Sequence, residues 1–214
     1  MLVNVCAANR ARGWLAAGGL SIDAAARKQK SGVMSKRLGR DEWVVAALKA
    51  LADLGVEAVR VERLAETLGV TKGSFYWHFA DRQALLMAIL EAWKARATAD
   101  IIAQVERGGG DTRARMHALM VIVFSSDGRL DRQVRAWAAN DVNARAAQEE
   151  IDRRRTGYLE GLFTDLGFSR AVAHARARFA YHALIGQFAL ADGGKGKRAA
   201  AELEIVFAML VAGA

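Results

Sequence analysis

The sequence predicts an all-α protein built as a small three-helix head followed by a larger helical body. Three observations carry that expectation. Proline is absent from all 214 residues, where average usage would supply about 5%. Ala, Leu and Arg dominate over Val, Ile and Thr, a bias toward helix formers. From Asp41 onward, apolar residues recur at three- and four-residue spacing in segments that glycines close. A hydrophobic fraction of 53% is ample for a core in a chain of this length.

Residues 1–38 show no sustained periodicity, are rich in Ala and Gly and end in a basic cluster, so they are expected to be a disordered basic extension. The head is expected over residues 39–86 and the body over residues 87–214. In the first helix, Asp41 to Leu54, the residues Trp43, Val44, Ala47, Leu48, Leu51 and Leu54 form one apolar stripe, and Gly55 is placed to end it. Val61, Leu64, Ala65 and Leu68 mark a two-turn second helix that stops at Gly69. Val70 and Thr71 bridge to a third short helix, Lys72 to His78, with Thr71 as its N-cap. Two short helices joined by a glycine-bearing turn, with small Ala65 where they cross and apolar Val70 in the turn, describe a helix-turn-helix.

The third helix concentrates aromatic rings in "KGSFYWHF". Phe75 and Phe79 are four residues apart and share a face, which must pack on the first two helices. Lys72, Gly73, Ser74, Trp77 and His78 then point elsewhere. A helix this short, with a polar and aromatic face, suits the major groove of DNA, its first residues at base edges and its backbone amides and Tyr76 at phosphates. Gly73 lets the backbone approach a duplex without a side chain in the way. In the competing reading, Tyr76, Trp77 and His78 form a packed junction with the next helix.

Net charge is not the feature that reveals DNA binding. The chain carries +8 in total, but acids and bases nearly balance from Arg40 to Leu90. Much of the excess lies before Leu38, in Arg10, Arg12, Arg27, Lys28, Lys30, Lys36 and Arg37. Met34, just ahead of the first convincing helix, is a second candidate for the start of translation. Residues 1–33 are then either an artefact without a role in the fold or part of a basic arm near DNA.

The stretch "GVEAVRVERLAETLGVTKGSFYWHFADRQALL", Gly55 to Leu86, resembles the DNA-binding region of the tetracycline-repressor (TetR) family of transcriptional regulators. "GVTKGSFYWHF" is the most specific part, and the likeness runs from Asp41 to about Leu90. The resemblance implies an all-helical homodimer with a DNA-binding head and a ligand-binding, dimerising body. It places Thr71, Lys72, Ser74, Tyr76, Trp77 and His78 on DNA-contact positions, and Arg82 where the family often has lysine at the start of the fourth helix. Arg60 stands where a threonine commonly caps the second helix and touches phosphate. Lys72, Ser74 and Trp77 are expected to read bases, and Thr71, Tyr76, His78 and Arg82 to hold the backbone of an inverted-repeat operator.

The rest reads as helices: Arg82 to Glu106, joining head to body, then Thr112 to Ser125, Leu130 to Ala139, Val142 to Leu166, Ser169 to Ala191 and Ala199 to Ala212. The last two are apolar on more than one side and are expected to pair across a two-fold axis, with Phe207 in the interface. Trp93, His117, Met120, Phe124, Trp137, Tyr158 and His182 offer apolar walls with polar handles for an unidentified small-molecule effector, although such stripes also build cores. The arginines Arg153 to Arg155 read first as solvated surface, with a salt-bridge or ligand-carboxylate role as the minority alternative.

Catalysis finds little support. His117, His174 and His182 are isolated, carboxylate pairs such as Glu149 and Glu150 sit in charged stretches, and the glycine-rich segments lack the strand-to-helix setting of a phosphate loop. No cofactor, catalytic residue or metal ligand is expected. The single cysteine, Cys6, forms no internal disulfide, and no membrane span or signal peptide is legible, so a reducing cytoplasm is the expected setting. The reading is therefore a sequence-specific DNA-binding regulator, a repressor released by a small ligand. The alternative is a helical ligand-binding or enzymatic protein whose head serves only packing.

Overall fold

Helix α1, Arg40–Leu54, begins where Gly39 donates its N–H to Oε2 of Glu42 at 2.9 Å, and it stops at Gly55, whose φ of 84° ends the helix. The computed structural model describes residues 38–190 and 197–214. The expectations for residues 1–37 and for the stretch from Asp192 to Gly196 lie outside the described residues. Trp43, Val44, Ala47, Leu48 and Leu51 are buried as the stripe predicts, while Leu54 is exposed.

After a 3₁₀ turn at Val56–Ala58 come α2, Val61–Leu68, and α3, Lys72–Phe75. Gly69 adopts the left-handed conformation at the end of α2, and the Val70 N–H returns to the Ala65 carbonyl at 3.0 Å, which closes the helix and aims the chain into α3. The third helix is shorter than the expected Lys72 to His78. At Tyr76 ψ relaxes to −8° and the chain passes into a turn over residues 76–78. The Phe79 N–H still reaches the Phe75 carbonyl, at 3.1 Å, so both rings keep the four-residue spacing that buries them.

The long helix expected from Arg82 to Glu106 is interrupted. It consists of α4, Arg82–Lys94, a π-helical turn at Ala95–Ala99, and α5, Asp100–Gly108. The cause lies in the apolar spacing. Ile89, Trp93, Ala97, Ile101 and Val105 follow one another every four residues, and on a regular helix each such step drifts by about 40°. A wider turn absorbs that drift. Trp93 can then face one core and Val105 another, both fully buried.

The remaining helices are α6, Thr112–Phe124; α7, Arg129–Ala138; α8, Val142–Asp165; α9, Arg170–Leu190; and α10, Lys197–Val211. Asp111 caps α6 through the Ala114 N–H, and Asp141 caps α8 through the N–H groups of Asn143 and Ala144. Two apolar cores result. The first joins α1, α2, Phe75, Phe79 and α4 to Val134, Trp137 and Ala138 of α7 and to Ala144, Ala147 and Ile151 of α8, so the head helices share a core with the body. The second gathers Val105, Met116, Leu119, Met120, Leu162, Phe163, Ala173, Ala177, Phe207, Leu210 and Val211. Gly128 meets α9 so closely that a Cβ there would stand 2.3 Å from the Phe188 ring, and its φ of 61° also favours glycine. The all-α architecture of head and body is as the sequence predicts.

Candidate nucleic-acid interface

Trp43 meets Phe75 edge-on with centroids 5.2 Å apart, and Phe75 stacks on Phe79 at 5.3 Å. Burying these two phenylalanines turns the opposite side of α3 outward. Thr71, Lys72, Gly73, Tyr76 and Trp77 are exposed, Trp77 at 86% of its surface. A packed junction with α4 is therefore not what Tyr76 and Trp77 form. Ser74 and His78 are half-buried, and the His78 ring is within hydrogen-bonding distance of the Leu38 carbonyl, Nε2 to O 2.8 Å, which seats the approach to α1 against the end of the turn.

A tryptophan so exposed is unusual in a monomeric surface, and here an exposed tyrosine, Tyr76, and an exposed lysine, Lys72, stand near it in the chain. Gly73 adds a second sign that the face meets something. A Cβ at this position would meet only Thr71 Oγ1, at an ordinary 3.7 Å. Nothing inside the protein demands glycine there.

Thr71 holds the N-cap position of α3 but makes no side-chain cap bond, and Arg60 at the N-cap position of α2 makes none either. Arg60 Nε instead donates to the Glu57 carbonyl at 3.0 Å. Arg82 is engaged internally: Nε donates to the Val59 carbonyl at 2.6 Å and Nη2 to the Val56 carbonyl at 2.8 Å, which ties α4 to the segment leading into α2. Lys72 Nζ lies 2.5 Å from Glu62 Oε1 across the helix-turn-helix. The hydrogen bond from Lys72 holds the Glu62 carboxyl below its ordinary range, and the same bond raises the Lys72 ammonium. Glu62 is the residue of this face that sequence reasoning passed over; its charge and its place in the first turn of α2 were the available signal.

The seven residues expected around an effector do not share one cavity. Trp93 and Trp137 fill the first core; Met120 lies in the second, with Phe124 and Tyr158 packed against it. His117 pairs with Glu204 of α10 at 2.7 Å, and His182 is exposed. None of the seven lines the open groove of about 450 Å³ between α1 and α4 or that of about 390 Å³ between α7 and α9.

The body also contains a polar network the sequence reading did not assemble. Arg155 is largely buried against Asp131, 2.7 Å from Nη1 to Oδ1, whereas Arg153 and Arg154 are exposed; the solvated reading of the triple arginine fails for Arg155. Arg135 pairs with Asp152 at 2.6 Å, and the Tyr181 hydroxyl donates to Asp152 at 2.6 Å. Burial first, with the bond to Asp152, pushes Tyr181 up to about 12. Among the described residues there is no cluster of His, Cys, Asp and Glu fit to hold a metal ion, and no helix is long and apolar enough to cross a membrane.

Comparison with known proteins falls on the same segment. Residues 44–89 match the family model described as bacterial regulatory proteins, tetR family. The class C tetracycline repressor protein of Escherichia coli is 45% identical over 56 residues, 26% of this chain and 26% of that protein. The HTH-type transcriptional regulator BetI of Rhizobium meliloti (strain 1021) is 28% identical over 127 residues, 59% of this chain and 62% of its own length. The chain thus spans about a quarter of the first of these relatives and less than two thirds of the second. The crystal structure of the reduced form of E. coli NemR superposes with a TM-score of 0.66 at 20% identity, covering 80% of this chain and 95% of that one, a likeness of fold.

Proposed function

We propose that the chain, whose residues 44–89 match the family model of bacterial regulatory proteins, tetR family, is a sequence-specific DNA-binding transcriptional regulator of the repressor type. The observation that carries this reading is the exposed face of α3 and its turn, where Lys72, Gly73, Tyr76 and Trp77 stand clear of a core that holds Phe75 and Phe79 from behind. Lys72, Ser74 and Trp77 read base edges in a major groove. Thr71, Tyr76 and His78 hold the sugar-phosphate backbone, with Arg60 beside them. Arg82 acts chiefly by fixing the head, since two of its nitrogens are taken by Val56 and Val59.

The working unit is a homodimer through α9 and α10. Val172, Phe179 and Leu190 of α9 and Ile205, Val206 and Met209 of α10 are exposed apolar residues, and a second copy of the same faces would cover them. Phe207, expected in that interface, is not part of it: it is buried within its own chain beside His117, ring centroids 5.0 Å apart. A two-fold dimer would present two heads to an inverted repeat with half-sites one helical turn apart, about 34–36 Å, or a multiple of that. The effector is a small molecule held in the body, where Met120 belongs to the second core and Phe124 and Tyr158 pack against it. It acts by favouring a head spacing that does not fit the operator, and a coupling of ~1–3 kcal/mol gives roughly 5–150-fold weaker binding.

Selection of bound duplexes from flanking genomic DNA tests the reading. Enrichment of one inverted repeat supports it, and recovery of no sequence by a folded, dimeric protein overturns it.

A further inference from the structure

Glu62 and Lys72 stand ten residues apart in sequence, yet they bridge α2 and α3 on the face proposed to meet DNA. Their side chains are 64% and 51% exposed. Nothing in the core requires the pair, so its presence has to be accounted for at the surface. The contact cancels the charge of the residue best placed to enter a groove, in a head whose acids and bases already nearly balance. Such a face gains little from condensation on phosphates, the source of most non-specific affinity.

We propose that Glu62 is a specificity-determining residue, an internal acceptor that Lys72 leaves for a guanine edge and not for a phosphate. The inference rests on the DNA-binding reading above. Exchanging the Glu62 carboxylate for a phosphate oxygen swaps one anionic partner for another and leaves a bare carboxylate facing the duplex. That exchange is available at every sequence and is unfavourable at every sequence. At a guanine, Lys72 reaches the O6 and N7 acceptors, and the released Glu62 accepts from the N4 amino group of a cytosine in a neighbouring pair. Only there do both groups regain partners. The two residues together therefore select adjacent G·C pairs, and Glu62 lowers affinity for all other DNA.

The test uses the full-length protein as wild type, Glu62→Gln, Lys72→Ala and the double variant. The probes are a random-sequence duplex pool, the duplex that wild type selects from it, and one fixed duplex of arbitrary sequence. Glu62→Gln should bind the arbitrary duplex roughly two- to five-fold more tightly at low salt, the factor an exposed ion pair commands. Its log–log salt slope should steepen by up to ~0.9, one added phosphate contact, and its ratio of selected to arbitrary binding should fall. In the Lys72→Ala background the gain should vanish. An unchanged ratio and slope for Glu62→Gln overturns the inference, and so does an equal gain without Lys72, which is a plain charge effect. Should wild type itself select nothing from the pool, the DNA-binding reading falls and this inference with it; selection by wild type with no response to Glu62→Gln removes the inference alone.

Discussion

Arg155 on α8 donates from Nη2 to the carbonyl of Ala97 at 3.0 Å, inside the π turn between α4 and α5. Its Nε donates to Thr98 Oγ1, also at 3.0 Å, and Nη1 to Asp131 on α7 at 2.7 Å. A π turn displaces backbone carbonyls from their regular partners, and a carbonyl turned away from its own helix needs a donor. Arg155 supplies one, stacked 5.9 Å from the Trp93 ring, and in the same place binds the head-bearing helix to α7.

Breaking this clamp at one end should be costly. The Arg155 and Asp131 side chains are only 13% and 11% exposed, and removal of one partner from a buried pair leaves a bare charge, at about 3–5 kcal/mol. Arg155→Met should lose that much in urea unfolding. Pairing it with Asp131→Leu should recover much of the loss. A single variant as stable as wild type would show that the pair contributes nothing.

Gly73 and Phe75 should separate function from folding. Gly73→Ala has room for its Cβ and should leave the head as stable or raise it by about 0.5–1 kcal/mol, while weakening operator binding because the methyl group faces the duplex. Phe75→Ala, at a fully buried position, should cost about 3–5 kcal/mol. Calorimetry and operator titration on the same samples decide, and a Gly73→Ala protein that binds unchanged would remove the close approach to DNA.

The dimer face should respond to Phe179→Glu or Met209→Glu, both at positions 69% exposed in the single chain. Sedimentation should find monomer, and the full inverted repeat should be bound far more weakly. Phe207→Ala should instead lower stability, since Phe207 is inside its own protomer. Dimers that survive both glutamate substitutions would put the interface elsewhere.

Acid stability should depend on Asp152. Burial alone would raise its pKa, but the hydrogen bonds from Arg135 and Tyr181 outweigh burial and hold it below the ordinary 3.8. A carboxyl depressed on folding stabilises the fold fully above its unfolded value, and that contribution disappears as pH falls through the folded value. Wild type should therefore lose more stability than Asp152→Asn as pH falls below about 4, measured by denaturant unfolding on acidification. Parallel curves would show that the pair is energetically silent.

Much of the helical plan was legible because apolar spacing and glycine stops are local signals. The stripe of α1, the stop at Gly69 and the burial of Phe75 and Phe79 follow from three or four residues each. The exposure of Tyr76 and Trp77 followed from the same geometry. Partners brought together from distant segments were not legible. Asp131, Arg135, Asp152 and Arg155 come together only where α7, α8 and α9 meet, and of these the sequence reading weighs Arg155 alone, first as solvated surface. Helix α10 is apolar on several sides, so nothing local distinguished buried Phe207 from exposed Met209. Trp93 and Trp137 had the chemistry of a pocket wall, and the first core claimed them. The π turn did leave a trace, in the unbroken four-residue spacing from Ile89 to Val105, which a regular helix cannot keep on one side.

That turn also holds one residue more than an α-helix needs. Each residue of an α-helix advances it by about 100° and 1.5 Å, so the surplus residue in Ala95–Ala99 sets the rotational phase of everything C-terminal to it. Wound at full length as an unbroken α-helix, the same residues would swing the second half by roughly a quarter turn, with Ile101 and Val105 facing away from the second core, whereas loss of one residue there would leave a regular helix that keeps the phase. The segment is therefore a slack point between the two ends of the protein: a one-residue deletion there should leave head and body in register, and a change that winds the full-length segment as a regular α-helix should turn one against the other.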